Sequence, residues 1–259
     1  MLRVTTLALG SCRVPAAAAG LGGLGRTDLP ALATLIEVEG ARVLVDAGYG
    51  PAFLAATRAF PARLYRWATP VRLPDTALPD RLGGAPDLVM LTHMHADHVA
   101  GLPDLPAGVP VTASAAAIAH LRGLGDLAPL HAACPALLRD AVLARDPAPI
   151  EDMRRIETGL PGFPVGHDLL GDGRLLAVPL PGHGVGQTGL WIREAARFLI
   201  ADAAFSRAAL RSGRLPPRPL LARLGDAAAY RATFEALRRL ARLRPDVALV
   251  PSHCPEAAP

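Results

Sequence analysis

The sequence predicts a folded α+β protein that forms a single domain, residues 1–259, and three observations support this. Hydrophobic residues make up 51% of the 259 positions and charged residues 19%, a composition too apolar for intrinsic disorder. Short apolar runs typical of strands come before, between and after segments with helical composition. No internal repeat and no shift in composition marks a boundary between domains.

The first part of the chain predicts antiparallel strands. Residues 2–9 have strand composition, and residues 32–38 and 41–45 form a predicted hairpin that turns at Glu39-Gly40 and ends at Asp46. A signal segment ending at Cys12 is the less favoured interpretation, because its apolar part is short. The glycine-rich residues 20–25 predict a loop, since a strand follows them where a phosphate-binding fold needs a helix.

The remaining elements alternate along the chain. Helices are predicted at residues 51–60, 115–122, 136–144 and 226–243, and strands at residues 88–91, 109–112, 175–180, 189–192, 197–200 and 247–250. Residues 51–81 contain many prolines and are predicted to form an insertion over one rim. In the last helix, Tyr230, Phe234 and Leu237 share one face, which predicts that this face packs on the core.

The net charge and the cysteine content of the sequence indicate the cellular location and the classes of binding partner to expect. Three cysteines give no framework of paired disulfides, so we expect a reducing, cytoplasmic location. A formal net charge of +4 is small for a nucleic-acid binder of this size. No apolar run reaches the roughly 18 residues that a membrane span requires. We therefore expect a small-molecule substrate, with no nucleic acid or membrane partner; the oligomeric state stays open.

A dense group of possible metal ligands follows the predicted strand 88–91. The segment reads His93-Met94-His95-Ala96-Asp97-His98. In an extended segment, residues two apart project to the same side, so His93 and His95 can bind one cation. Asp97 and His98 can then bind a second cation. Four possible ligands in six residues exceed what one tetrahedral site takes from one segment, so two metal ions fit better.

Three further candidate ligands follow other predicted strands. His183 lies in a Pro-Gly-His-Gly turn after strand 175–180, Asp202 follows strand 197–200, and His253 ends the last strand. A carboxylate such as Asp202 can bridge two cations. The predicted site therefore gathers four separate segments of the chain at one sheet edge.

These residues resemble the ligand set of the metallo-β-lactamase superfamily of metal-dependent hydrolases. The order His93-x-His95-x-Asp97-His98, then His183, Asp202 and His253, matches the superfamily pattern over almost the whole chain. The resemblance implies a four-layer αββα sandwich, with two sheets packed face to face and helices outside. It also implies a dinuclear centre: three histidines on the first metal (His93, His95, His183), three ligands on the second (Asp97, His98, His253), and Asp202 between them.

Asp46 also matches the superfamily, which has an aspartate at the end of an early strand. The resemblance implies that this carboxylate orients a ligand imidazole by hydrogen bonding. His120, His131 and His167 lie outside the pattern, and we expect them to be surface or core residues. Cys254 is expected to be structural.

The expected chemistry is hydrolysis by a water molecule that two divalent cations activate, most simply Zn²⁺, with Fe or Mn as alternatives. Asp202 and Asp97 are the predicted catalytic carboxylates, Asp97 returning a proton to the leaving group. The pattern most resembles the N-acyl homoserine lactonase branch, so we expect a lactone or a small ester as substrate. A phosphodiesterase, a thioesterase, a mono-iron sulfur dioxygenase and, least favoured, a non-catalytic zinc-binding protein remain alternatives.

Two departures from the lactonase pattern concern the substrate. That branch commonly has a tyrosine three residues after the bridging aspartate, where this chain has Phe205. Gln187 stands where the turn motif usually repeats a histidine. Either the substrate differs, or Tyr49, Tyr65 or the metal alone polarises the substrate carbonyl.

Overall fold

Two β-sheets form the centre of the fold. The protein is represented by a computed structural model, of which residues 1–125 and 133–259 are described. Within these residues the first sheet has seven strands in the order β4-β1-β2-β3-β5-β6-β7, and the second has six in the order β13-β12-β11-β10-β9-β8. The strands are β1 (Arg3–Pro15), β2 (Arg26–Val38), β3 (Ala41–Val45), β4 (Val71–Arg72), β5 (Leu88–Met90), β6 (Val111–Ala113), β7 (Ala148–Pro149), β8 (Arg155–Leu160), β9 (Phe163–Asp168), β10 (Leu175–Pro179), β11 (Thr188–Ile192), β12 (Arg197–Ala201) and β13 (Ala248–Pro251).

Helices connect and cover these strands. In chain order they are α1 (Pro51–Ala56), α2 (Arg63–Ala68), α3 (Leu78–Leu82), α4 (Ala96–Val99), α5 (Ala115–Gly123), α6 (Ala136–Leu143), α7 (Arg207–Ser212), α8 (Arg218–Leu224) and α9 (Ala227–Leu243). Short 3-10 turns lie at Ala16–Ala19, Leu102–Asp104, Ile150–Asp152 and Pro255–Ala257. Asp226 caps α9, accepting hydrogen bonds from the backbone N–H groups of Ala228 and Ala229 at 2.8 and 3.0 Å. This satisfies two of the donors that a helix start leaves free.

Three apolar clusters divide the molecule into four layers. Between the sheets, Ile36 and Val43 of the first sheet pack with Leu175 and Leu190 of the second. On the outer face of the first sheet, one cluster joins strand residues to α1, α5 and α6. On the outer face of the second, another cluster joins strand residues to α9. The predicted αββα sandwich is confirmed, because each sheet buries one face against its partner and the other against helices.

The first sheet changes from antiparallel to parallel pairing at β3. Strands β1, β2 and β3 pair antiparallel, and β3, β5, β6 and β7 then pair parallel. Parallel β3 and β5 end at the same edge, so Asp46 and the segment after β5 meet there. In the second sheet, β12 and β13 also pair parallel, so their carboxyl ends lie at the same edge. These paired ends determine where the polar side chains gather.

The first strand is longer than the sequence predicts. Residues 2–9 were expected as a strand, but β1 continues to Pro15 through a bulge between Ala8 and Ser11. Gly10 in this bulge has φ +88°, and a Cβ there would lie 2.6 Å from the Arg72 carbonyl oxygen. Glycine is therefore required, and the bulge lets β1 extend past β4 toward the site edge.

Several elements were not predicted from sequence. The hairpin of β8 and β9 falls in a stretch where no strand was predicted, and α2, α7 and α8 fall in stretches interrupted by proline or arginine. The predicted helix at residues 51–60 ends early, at Ala56. Among the described residues, none of the helices has the length and apolarity that a membrane crossing demands.

Replacing Phe234 by alanine tests the outer layer of the second sheet. Phe234 is fully buried between α9 and that sheet, so Phe234→Ala should lower the free energy of unfolding by about 3–5 kcal/mol. Leu243→Ala is the matched control at the end of the same helix, because Leu243 is 53% exposed. Its effect should stay within about 0.5 kcal/mol. Urea denaturation followed by circular dichroism measures both; equal effects of the two substitutions would contradict the layer assignment.

Candidate metal centre

The seven predicted ligands meet at one edge of the sandwich. The segment after β5 and the first turn of α4 carry four of them, and the ends of β10, β12 and β13 carry the other three. In chain order these residues are His93, His95, Asp97, His98, His183, Asp202 and His253. Six are buried, and the Asp97 side chain is 12% exposed. Residues up to 160 positions apart in the chain are thus brought into contact.

Three imidazoles form the first group. The His95 Nδ1 atom lies 3.1 Å from His93 Nε2 and 3.0 Å from His183 Nε2. All three side chains are buried, and their inward nitrogen atoms lie within 4.8 Å of one another. Three ring nitrogens facing one point match the way imidazole donors surround a single cation.

The second group combines one carboxylate with two imidazoles. His253 Nε2 lies 3.2 Å from an Asp97 oxygen, and His98 Nε2 lies 3.9 Å from the other. The Nδ1–H of His253 donates to the Pro30 carbonyl of β2 at 2.7 Å. This bond fixes the ring so that Nε2 faces the site. Asp97, His98 and His253 thus form a second set of atoms that could hold a metal ion.

Asp202 lies between the two groups. One of its oxygens lies 3.0 Å from His253 Nε2 and 3.2 Å from His183 Nε2, and the other lies 3.5 Å from His98 Nε2. Asp202 Oδ1 and His98 Nε2 are buried without a hydrogen-bond partner. Polar atoms left unsatisfied in the interior are costly, so their convergence fits a centre built to bind cations.

Charge interactions within the site are strong. Burial alone would raise the pKa of Asp202, but the imidazoles of His253, His98 and His183 hold it well below its usual range. Burial would likewise lower the pKa of His253, but Asp202 and Asp97 outweigh it and raise that pKa well above its ordinary value. Both carboxylates therefore stay ionised at neutral pH and are available as anionic ligands.

In the first group, the pKa values of His93 and His95 are lowered. Burial, and then the neighbouring imidazole of His183, lowers the pKa of His95 to about 3. Burial also dominates at His93, where the imidazoles of His98 and His95 lower the pKa further. These rings are neutral at pH 7, which is the form that binds metals.

The superfamily can now be identified by comparison with known proteins. Residues 26–253 match the family model described as the metallo-β-lactamase superfamily. The chain belongs to this superfamily. None of the curated proteins compared with the chain matches it significantly by sequence.

Several solved structures share the fold over nearly the whole chain. One is an N-acyl homoserine lactone hydrolase with the product N-hexanoyl-L-homoserine at its catalytic metal centre; it has a TM-score of 0.70 and 14% identity and covers 98% of this chain and 93% of its own. A second is AidC, a dizinc quorum-quenching lactonase, with TM-score 0.64, 16% identity and 99% and 89% coverage. A third is a probable metal-dependent hydrolase from Staphylococcus aureus, with TM-score 0.58, 15% identity and 98% and 89% coverage. At these identities the likeness shows the fold.

Asp46 and Thr92 hold His98 in place. The His98 Nδ1–H donates to Asp46 Oδ2 at 2.8 Å. The Thr92 backbone N–H and hydroxyl donate to the same carboxylate at 2.8 and 2.9 Å. Asp46 adopts a φ of 61°, which is uncommon for a residue other than glycine. The hydrogen bonds of its carboxylate hold Asp46 in this strained backbone conformation, and the carboxylate in turn orients the His98 imidazole.

Gln187 positions the backbone of Asp202. Its Nε2 donates to the Leu180 carbonyl at 3.0 Å, and its Oε1 accepts from the Asp202 backbone N–H at 3.2 Å. Ala201, directly before Asp202, has a φ of 47°. Gln187, which the sequence marked as a departure from the usual turn, therefore links the His183 turn to the Asp202 turn. Sequence reasoning did not find this role, nor that of Thr92, since single polar residues carry no spacing signal.

Two of the three remaining histidines, His120 and His167, do not join the site. His120 is exposed on α5, and the His167 ring lies in β9 with its Nδ1 3.2 Å from the Met153 carbonyl oxygen. His131 lies outside the described residues. Cys254 is buried, and its Sγ accepts a hydrogen bond from the Arg207 backbone N–H at 3.3 Å, which agrees with the expected structural role.

A cavity of about 230 Å³ opens on the centre, and we call it the metal-side cavity. Its floor is formed by site residues, among them Asp97 and Asp202. Its walls are largely apolar and include Val14, Leu29 and Phe205. Residues of α2 also line it, so the predicted insertion does lie over the rim of the site.

Asp46→Asn tests the anchoring of His98. Asparagine keeps the shape and tolerates the same backbone conformation, but it removes the negative charge that faces the imidazole. We expect metal affinity to fall about 10- to 100-fold, measured by competition with a chromophoric chelator. Asp28→Asn, at an exposed position on β2, is the matched control and should leave affinity unchanged. Unchanged affinity in Asp46→Asn, with circular dichroism unaltered, would show that the hydrogen bond does not orient the site.

Proposed function

We propose that this protein is a dinuclear metal hydrolase that opens a lactone or cleaves an ester of a small, neutral molecule. The observation that carries the proposal is the pair of ligand groups joined by Asp202 at the floor of an apolar cavity. Superfamily membership supports metal-dependent hydrolysis, and the lactonases among the similar structures support the acyl substrate class.

Each group would hold one divalent cation, most simply Zn²⁺. His93, His95 and His183 would bind the first, and Asp97, His98 and His253 the second, with Asp202 contacting both. The mixed imidazole and carboxylate donors suit zinc, and the dizinc centre of AidC supports that assignment. Structural zinc sites are typically closed and rich in cysteine, whereas a cavity reaches this one.

The reaction breaks the acyl C–O bond and adds one water molecule, yielding a carboxylic acid and an alcohol. When bound, the cations would lower the pKa of a water molecule and polarise the carbonyl group. The ionised Asp202 and its three imidazoles hold the ligand atoms at fixed positions before substrate arrives. Asp97 reaches both the second group and the cavity, so its ionised carboxylate can accept the proton that the attacking water loses and pass it to the departing oxygen.

The wall of the metal-side cavity favours a neutral acyl substrate over an anionic one. No arginine lines this cavity in the described parts of the chain, although arginine is the residue that pairs best with phosphate. Apolar walls stabilise a substrate by burying its hydrocarbon part, with few polar groups fixing its orientation. A phosphodiester would enter this cavity without a compensating positive side chain.

Activity on a substrate panel tests the proposal. Protein loaded with Zn²⁺ should bind about two metal equivalents and hydrolyse acyl lactones or aryl esters faster than bis-aryl phosphates or thioesters. His93→Ala and Asp202→Ala should each lower kcat/KM at least about 1000-fold, because several kcal/mol of transition-state stabilisation disappears. Elemental analysis and steady-state kinetics give both results.

His120→Ala provides the matched control, since this histidine is exposed on α5, and it should retain full activity. If the protein cleaves the bis-aryl phosphate faster than the lactones and esters, the proposed acyl substrate class is wrong and a phosphodiester takes its place. A single iron per chain, or activity that survives Asp202→Ala, would overturn the dinuclear hydrolase.

A further inference from the structure

The wall of the cavity beside the metal centre carries Phe205 at the position where the lactonase pattern has a tyrosine, so this position offers no hydroxyl group. Phe205 lies against the site, with its ring centroid 5.4 Å from that of His183 and 5.7 Å from that of His253. Hydrolysis of an ester places negative charge on the carbonyl oxygen, and a hydrogen-bond donor aimed at that oxygen accelerates the reaction. A phenylalanine cannot donate, so a protein donor to this oxygen, acting beside the cations, would come from another residue of the wall.

Tyr65 is placed to do so. It lies on α2 and lines the metal-side cavity together with His95, Asp97 and Asp202. It also lines an adjoining cavity of about 430 Å³, formed between α2 and α8, so it stands where the two cavities meet. A substrate that passes from the outer cavity to the metal centre therefore passes this side chain.

The Tyr65 ring is held in position, while its hydroxyl has no hydrogen-bond partner among residues 1–125 and 133–259. Its ring packs edge-on against Phe53 at 5.7 Å between centroids. Phe53 in turn packs against Tyr49 at 5.1 Å. No described residue forms a hydrogen bond with the Tyr65 hydroxyl. A fixed phenol with an unused donor at a cavity wall is suited to bind an oxygen atom of a substrate.

The protonation state of Tyr65 suits this role. Burial raises its pKa well above the ordinary value, and the carboxylate of Asp97 raises it further. The phenol therefore keeps its proton throughout the neutral and mildly alkaline range. Tyr65 and Asp97 of the second group line the same cavity.

Other donors along the wall are less well placed. Tyr49 also lines the cavity, but it is only 1% exposed and its hydroxyl is already hydrogen-bonded with the Cys12 thiol. Burial raises the pKa of Cys12 to about 11, and a thiol is a weak donor. The Thr69 hydroxyl is carried one bond from Cβ, so it reaches much less far than a phenol.

We propose that the Tyr65 hydroxyl donates a hydrogen bond to the carbonyl oxygen of the substrate and holds the negative charge that develops there during acyl transfer. This inference rests on the proposed ester or lactone hydrolysis. It assigns the carbonyl-polarising donor to the α2 insertion, on a different wall from Phe205. No bond of the protein forms or breaks in this step.

Tyr65→Phe removes the hydroxyl and keeps the ring that packs on Phe53. With the zinc-loaded protein and the best lactone of the panel, kcat should fall on the order of 100-fold, with KM changing less than threefold. An alkyl phosphonate, which mimics the tetrahedral intermediate, should bind at least tenfold more weakly, measured by calorimetry. Metal content and thermal unfolding should equal those of the unmodified protein, because none of the described residues forms a hydrogen bond with the hydroxyl.

Trp67→Phe is the control on the same helix: Trp67 is 63% exposed and stacks on Arg63 at 5.0 Å, so kcat and phosphonate affinity should be unchanged. Tyr49→Phe tests the competing phenol. Unchanged kcat in Tyr65→Phe, or a larger loss in Tyr49→Phe, would overturn the assignment while leaving the hydrolase intact. An unmodified protein that cleaves no lactone or ester would instead overturn the proposed function, and this inference with it.

Discussion

The arrangement of the site depends on one buried carboxylate, Asp202. An ionised group in the interior is strongly unfavourable unless opposite or polar partners surround it. Three imidazoles supply that environment, one from the first sheet and two from the second, all within 3.5 Å of its oxygens. Since each imidazole lies after the end of a different strand, satisfying this carboxylate requires the strand ends of both sheets to align.

Backbone and neighbouring side chains hold this alignment in place. Asp46 and Ala201 both adopt positive φ, and each lies at the turn that leads a strand into the site. Such conformations cost about 1–3 kcal/mol each and persist only where surrounding contacts enforce them. Here the contacts are the hydrogen bonds of Thr92 to Asp46 and of Gln187 to Asp202. The positions of His98 and Asp202 at the site are therefore fixed partly by hydrogen bonds of Thr92 and Gln187, which are not among the candidate metal ligands.

The sequence predicted which polar residues gather at the site, and most of the strands, because both follow from local pattern and from the resemblance. His93, His95, Asp97 and His98 have a spacing that few other sites use, and the resemblance to a known superfamily placed His183, Asp202 and His253 beside them. Gln187 and Thr92 were missed as structural partners because their effect depends on contacts with residues 15 and 46 positions away. The β8–β9 hairpin was missed because β8, with Arg155, Glu157 and Gly159 among its residues, lacks a continuous apolar run.

Substrate preference is harder to predict than chemistry, since it depends on walls built from unrelated segments. Phe205, Tyr65 and Leu29 meet around one cavity, yet none belongs to a recognisable motif. The positions of the ligands in the two sheets have a mechanical consequence. The segment of residues 93–98 extends from one sheet, while His183, Asp202 and His253 extend from the other. A cation bound among them would cross-link the two sheets at that end. Part of its binding free energy would therefore stabilise the packing of one sheet on the other.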